Sequence, residues 1–171
     1  MDGMIWPPAI TAATQELAAQ LLPRGWTLAT AESCTGGLIA AACTELPGAS
    51  DWFERGFVTY SNAAKAELLG VPAELIVRHG AVSEAVARAM AAGAAQRAGT
   101  RVSVAVTGVA GPSGGSPDKP VGTVWFGWCV GQTVFSACRH FAGDRQAVRL
   151  QTVVYGLDRL CRAVADGAGA P

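Results

Sequence analysis

The order of apolar and chain-breaking segments predicts an α/β domain, a three-layer α/β/α sandwich around a mixed, mostly parallel sheet of about five strands. Short apolar runs of strand length alternate with segments whose apolar residues recur at the helical period, an order that gives parallel strands joined by crossover helices. Two strand-like runs, 121–130 and 133–141, are separated only by Gly131 and Gln132, the spacing of a β-hairpin, so one strand should run against its neighbour. Half of the 171 residues are hydrophobic and 15% are charged, against about 25% in typical chains, which favours a packed core over disorder. The length fits a single domain, 1–171, without internal repeat or linker.

Each element has a local reason. Thr11 can cap a helix whose apolar positions Ile10, Ala13, Leu17 and Leu21 recur near the helical period before Pro23 and Gly25 close it. Residues 26–31 read as a buried strand that breaks at Glu32-Ser33-Cys34-Thr35-Gly36-Gly37, and 38–46 resume as a small-residue helix ended by Pro47-Gly48. Residues 55–60 form a second strand. Asn62 then caps a short helix through Leu69, closed by Gly70 at a position that tolerates a left-handed backbone. His79 before Gly80 marks a helix end, where a cation meets the negative pole of the dipole. Ser83 opens a helix carrying Val86, Met90 and Ala94 on one face and ending at Gly99, and Val102, Val104 and Val106 alternate with small residues along a third strand. Residues 108–120 hold four glycines and three prolines and are predicted irregular. Asp144 caps a last helix in which Leu150, Val154, Leu157, Cys161 and Val164 step by four, three, four and three, and the tail 167–171 is expected to fray.

Composition removes several functions. Thirteen basic and thirteen acidic residues balance, so no broad field draws the chain to nucleic acid or to an anionic membrane, although a local anion site stays open. The longest apolar runs, such as 38–43, fall far short of the roughly 18 residues that span a bilayer, and 1–8 lack the form of a signal peptide. Five cysteines with no C-x-x-C spacing and no export signal point to a reduced, cytoplasmic compartment. Two histidines, His79 and His140, stand outside any zinc-binding pattern, so neither a metal nor another cofactor is expected.

The chemistry is sought in loops after strands, where open α/β sheets collect ligands. The turn 32–37 places two hydroxyls, a thiol and two glycines where a strand becomes a helix; its amides can hold an anion, or Ser33 or Thr35 can simply cap the helix. It is neither a Walker A nor a G-x-G-x-x-G turn. Lys65 falls in the first turn of a helix, where the positive dipole end disfavours a cation; if partly buried it would have a lowered pKa and serve as a general base, and otherwise it is a solvated lysine. Residues 108–120 have the length of a binding loop, with Thr107 before them and Lys119 near their end, and Arg145 can hold a phosphate or pair with an acid.

Taken together, Thr30-Ala31-Glu32-Ser33-Cys34-Thr35-Gly36-Gly37, Pro47-Gly48-Ala49-Ser50, Gly56-Phe57-Val58-Thr59-Tyr60-Ser61-Asn62 with Lys65, His79-Gly80-Ala81-Val82-Ser83, Thr107-Gly108-Val109-Ala110-Gly111-Pro112 and Lys119-Pro120-Val121-Gly122-Thr123-Val124 resemble the CinA C-terminal domain family over about 11–164. The resemblance implies an amidohydrolase that converts nicotinamide mononucleotide to nicotinate mononucleotide and ammonia, in its stand-alone form. It further implies a serine and lysine mechanism: Lys65 as base, Ser33 or Ser50 as nucleophile, and Tyr60 relaying the proton or orienting the nucleophile. Thr107 and amides near Gly36 or Gly108 would stabilise the oxyanion. Thr35, Gly36, Gly37, Gly108, Gly111, Lys119 and Arg145 would bind substrate, the last or the 108–115 backbone receiving its phosphate. Ser33 lies at a strand-to-helix turn like a nucleophile elbow, whereas Ser50 precedes Asp51-Trp52 and can be a helix cap. Cys34 is a third nucleophile that burial would leave inert. Two other roles stay open, a non-catalytic nucleotide-binding module and an interaction domain. The expected partners are a small nucleotide and further copies of the chain as a homodimer or higher homo-oligomer, with neither nucleic acid nor membrane.

Overall fold

The computed structural model describes residues 6–167. Its elements in chain order are α1 (Pro8–Leu21), β1 (Leu28–Glu32), α2 (Leu38–Thr44), β2 (Phe53–Val58), α3 (Asn62–Leu69), α4 (Ala73–His79), α5 (Glu84–Ala98), β3 (Val102–Gly108), β4 (Thr123–Val130), β5 (Thr133–His140) and α6 (Arg145–Ala165). The sheet order is β2-β1-β3-β4-β5. β1 pairs in parallel with β2 and β3, while β4 pairs antiparallel with both β3 and β5. Four strands therefore point one way, and β4, the first arm of the expected hairpin, is the reversed one.

Helices cover both faces for a reason legible along β3. Val102, Val104 and Val106 face the core shared with α1, α2 and α6, while Ala105, with Ala29 and Ala31 of β1, faces α5. Small residues on that second face let α5 approach closely: Ser103 Oγ donates to the Ala91 carbonyl at 2.6 Å, and a Cβ at Gly127 would lie 2.7 Å from the Ala87 carbonyl carbon. The first core also holds a stacked aromatic column on β4 and β5, Phe126, Trp128 and Phe135.

Several boundaries shift. α1 starts at Pro8 rather than Thr11, since proline at a first helical position gives up an N–H that has no intrahelical partner. The cap of α3 is Ser61, not Asn62: its Oγ accepts from the Ala64 amide at 3.0 Å. β2 ends at Val58, two residues before the expected Tyr60, because Thr59 and Tyr60 turn their carbonyls to a buried amine. β4 begins at Thr123, after Gly122 adopts φ +94° and donates to the Val109 carbonyl. Ser83 and Asp144 cap α5 and α6 as expected. Of the tail expected to fray, Gly167 forms a turn and 168–171 lie outside the described residues, as do the first five residues of the N-terminal stretch.

Candidate active site

The parallel strands β1, β2 and β3 end side by side, Glu32 pairing with Val58 on one flank and Val106 on the other. Whatever follows them is brought to one edge of the sheet. Ser33 follows β1 and is locked by its amide, which donates to the Val106 carbonyl at 3.0 Å. The turn then closes through Gly36 N–H to the Ser33 carbonyl, with Gly36 and Gly37 at φ +60° and +104°, values that a side chain would strain.

Glu32 anchors this turn from beneath. Its carboxylate is 1% exposed and accepts from Thr35 Oγ1 at 2.6 Å, Ile39 N–H at 2.8 Å and Ala40 N–H at 3.0 Å. Burial pushes its pKa up, and these donors at the start of α2 oppose that shift.

Lys65 lies on the first turns of α3, after β2, and is 1% exposed. Its Nζ is 2.8 Å from the Thr59 carbonyl, 3.2 Å from the Tyr60 carbonyl and 3.0 Å from Ser33 Oγ. Burial lowers its pKa from the usual 10.5, the neighbouring Cys34 thiol opposes this more weakly, and its three hydrogen-bond partners include no carboxylate. As the ammonium, Nζ donates to all three oxygens; with one proton lost, two hydrogens can still satisfy the two carbonyls while the lone pair faces the Ser33 hydroxyl. An amine so placed can take a proton from that serine.

The two side chains open into a cavity of about 370 Å³ whose wall also includes Cys34, Tyr60, Asn62, Thr107, Gly108, Gly111, Arg145 and the backbone of 113–115. Arg145 is the cation of its lining and no carboxylate lines it among the described residues, so the cavity suits an anion. The amides of Ala110, Gly111, Ser113, Gly114 and Gly115 donate to no backbone acceptor among the described residues. Arg145 spans the mouth, donating to the Gly111 carbonyl at 2.8 Å and the Tyr60 hydroxyl at 3.2 Å. Burial pushes the Cys34 thiol up to about 12, which leaves it protonated near neutrality.

Other expected site residues fall elsewhere. Ser50 is exposed in a short 3₁₀ turn, Ala49–Asp51, and faces a separate hollow with Pro47 and Phe53, so it does not meet Lys65. Thr35 is fully buried with its hydroxyl committed to Glu32, and Gly36 and Gly37 shape the turn without lining the cavity. Lys119 donates to the His79 carbonyl at 2.8 Å, pinning the 108–120 loop to the end of α4. Thr107 lines the cavity, but its hydroxyl donates to the Ala81 carbonyl at 2.9 Å, and Tyr60 reaches Lys65 through its carbonyl rather than its phenol. Glu32 and Arg149 are contacts that pattern reading passed over. Arg149 stands four residues after Arg145 on α6, a spacing that puts both on one face, and this was the available signal.

The family model of the CinA C-terminal domain matches residues 10–164. This chain belongs to the CinA C-terminal domain family. Among its relatives, the nicotinamide-nucleotide amidohydrolase PncC of Pseudomonas putida is 61% identical over 131 residues, covering 77% of this chain and 82% of that protein. The protein of the same name from Enterobacter agglomerans is 55% identical over 148 residues, covering 86% and 90%. The crystal structure of the competence/damage-inducible protein CihA from Agrobacterium tumefaciens superposes with a TM-score of 0.91 at 42% identity, over 95% of this chain and 99% of that one. The match to the CinA family thus extends over the turn carrying Ser33, the helix carrying Lys65 and the loop around Gly111. No helix among the described residues is long and apolar enough to cross a membrane.

Proposed function

We propose that this chain hydrolyses the carboxamide of nicotinamide mononucleotide to nicotinate mononucleotide and ammonia, with Ser33 as nucleophile and Lys65 as its base. The observation that carries the reading is the 3.0 Å approach of Lys65 Nζ to Ser33 Oγ with both remaining amine directions held by carbonyls. The names of the relatives supply the substrate. Ser33 Oγ attacks the amide carbon as its proton passes to Lys65. The tetrahedral intermediate collapses, the C–N bond breaks, and the Lys65 ammonium returns the proton to the departing ammonia. Water then attacks the acyl ester, giving one proton to Lys65, which passes it back to Ser33 Oγ, and the product acid gives its own proton to solvent as it leaves as the carboxylate.

The Cys34 and Thr35 amides, which make no backbone hydrogen bond among the described residues, are the nearest candidates in sequence for the oxyanion; such donors commonly contribute about 3 kcal/mol each. Arg145 and the 113–115 amides receive the phosphate. The reading also places the enzyme in a reduced cytoplasm, as one domain in a homo-oligomer, which sedimentation over a range of dilutions tests. The decisive experiment follows ammonia release from nicotinamide mononucleotide by purified, chelator-treated protein. Ser33→Ala and Lys65→Ala should each lose at least about 10³-fold in kcat while remaining folded, and Ser50→Ala should stay within about twofold. Loss in Ser50→Ala with retention in Ser33→Ala would reverse the assignment.

A further inference from the structure

We propose that Arg149, which lies outside the catalytic cavity, is a positioning residue that sets the peptide planes beside the Ser33 nucleophile. The inference rests on Ser33 being that nucleophile. From α6, Arg149 Nε donates to the Cys34 carbonyl at 3.2 Å and Nη2 to the Thr35 carbonyl at 2.9 Å. The Thr35 carbonyl has a second donor, the Leu38 amide, whereas the Cys34 carbonyl is held by Arg149 alone among the described residues. In a trans peptide the carbonyl and the next N–H point in opposite directions, so drawing the Cys34 carbonyl toward α6 turns the Thr35 N–H away from it. That amide makes no backbone hydrogen bond among the described residues, while the Ser33 amide is used on Val106.

Glu32 does not do this task. It grips the Thr35 side chain and the amides of α2, and makes no hydrogen bond to the 34–35 peptide among the described residues. The following residues, Gly36 and Gly37, offer little torsional resistance of their own. The planar two-point fork of a guanidinium supplies the missing restraint, and a lysine ammonium would hold one carbonyl at a time.

The test uses two readouts on the full chain, turnover of nicotinamide mononucleotide and the rate at which a fluorophosphonate labels Ser33. In the labelling step, Ser33 Oγ bonds to phosphorus, fluoride leaves, and the serine proton passes to Lys65; the phosphoryl oxygen occupies the oxyanion position. Arg149→Ala should lower kcat and the labelling rate together by roughly 10- to 100-fold, with KM within about threefold. Added methylguanidinium should recover at least about tenfold of both without raising Tm, and Arg149→Lys should recover only in part. A labelling rate within about twofold of the parent, a rise in KM with kcat retained, or no recovery by methylguanidinium would overturn the assignment. A parent protein that labels at Ser33 yet releases no ammonia refutes the substrate reading instead, and the labelling comparison then decides the role of Arg149 by itself.

Discussion

Gly93 is far from the chemistry, yet replacing it with alanine should damage both stability and turnover. It lies in α5 beneath the end of α3, where an added methyl would overlap the Leu69 carbonyl oxygen and sit 3.0 Å from its carbon and 3.2 Å from its Cβ. Restoring a separation of about 3.5 Å from that oxygen parts the helices by roughly 1.5 Å. Overpacking costs about 1–3 kcal/mol, toward about 2–3 where the added methyl strikes backbone, as it does at Leu69, and the better helix propensity of alanine offsets about 1 kcal/mol. A net loss of about 1–2 kcal/mol follows. Leu69 is one helical turn beyond Lys65, so the same displacement moves Nζ away from its 3.0 Å approach to Ser33. A misplacement of about 1 Å can cost about 10²-fold in rate. Urea unfolding measures the first effect and ammonia release at saturating nucleotide the second. A Gly93→Ala protein at least as stable as the parent, with kcat within about twofold, would refute the reasoning.

The pH dependence should follow Lys65. Its pKa is lowered by burial and its neutral form is the base, so kcat rises as pH climbs through that lowered value, and Lys65→Arg, fixed as a cation, stays inactive across the range. The folded state holds fewer protons than the unfolded one between that pKa and 10.5, so this group's contribution to stability increases with pH over the window, and Lys65→Met should flatten that slope in denaturation series. Glu32→Gln sets an amide NH₂ against one of three converging donors and should lose about 1–3 kcal/mol at pH 7 by chemical denaturation. Cys34→Ala should keep kcat within about threefold, and iodoacetamide should leave the native Cys34 unmodified at pH 7.5 where its thiol stays protonated.

Much of this arrangement could be read before folding, because it depends on local signals. The valines of β3 alternate with small residues, Ser83 and Asp144 stand where caps belong, and Gly131-Gln132 leaves room only for a hairpin. What stayed open depends on neighbours distant in sequence. Ser50 is closer to Lys65 along the chain than Ser33 is, and only the parallel pairing of β1 with β2 brings Ser33 to the lysine. The short helix α4 was marked only by its end at His79, since its seven residues give too few turns for a period to emerge. Arg149 is separated from the Cys34 carbonyl by 115 positions, and no spacing rule connects them. Lys119 and Thr35 looked like ligand groups because their residue types suit that role; each instead satisfies a carbonyl or carboxylate of the protein.

The aromatic column on the far part of the sheet has an optical consequence. Trp128 lies between Phe126 and Phe135, with ring centroids 5.4 and 5.1 Å apart and planes within 6° and 15°, and its indole N–H donates to the Gly156 carbonyl at 3.0 Å. A ring held so rigidly in an asymmetric, water-free setting gives strong near-ultraviolet dichroism and a blue-shifted emission. With the other four tryptophans replaced by phenylalanine, Trp128 becomes a reporter of the contact between α6 and the sheet, seated away from Ser33 and Lys65. Loss of turnover with the Trp128 spectrum intact marks damage confined to the chemistry, and loss of both marks collapse of the scaffold.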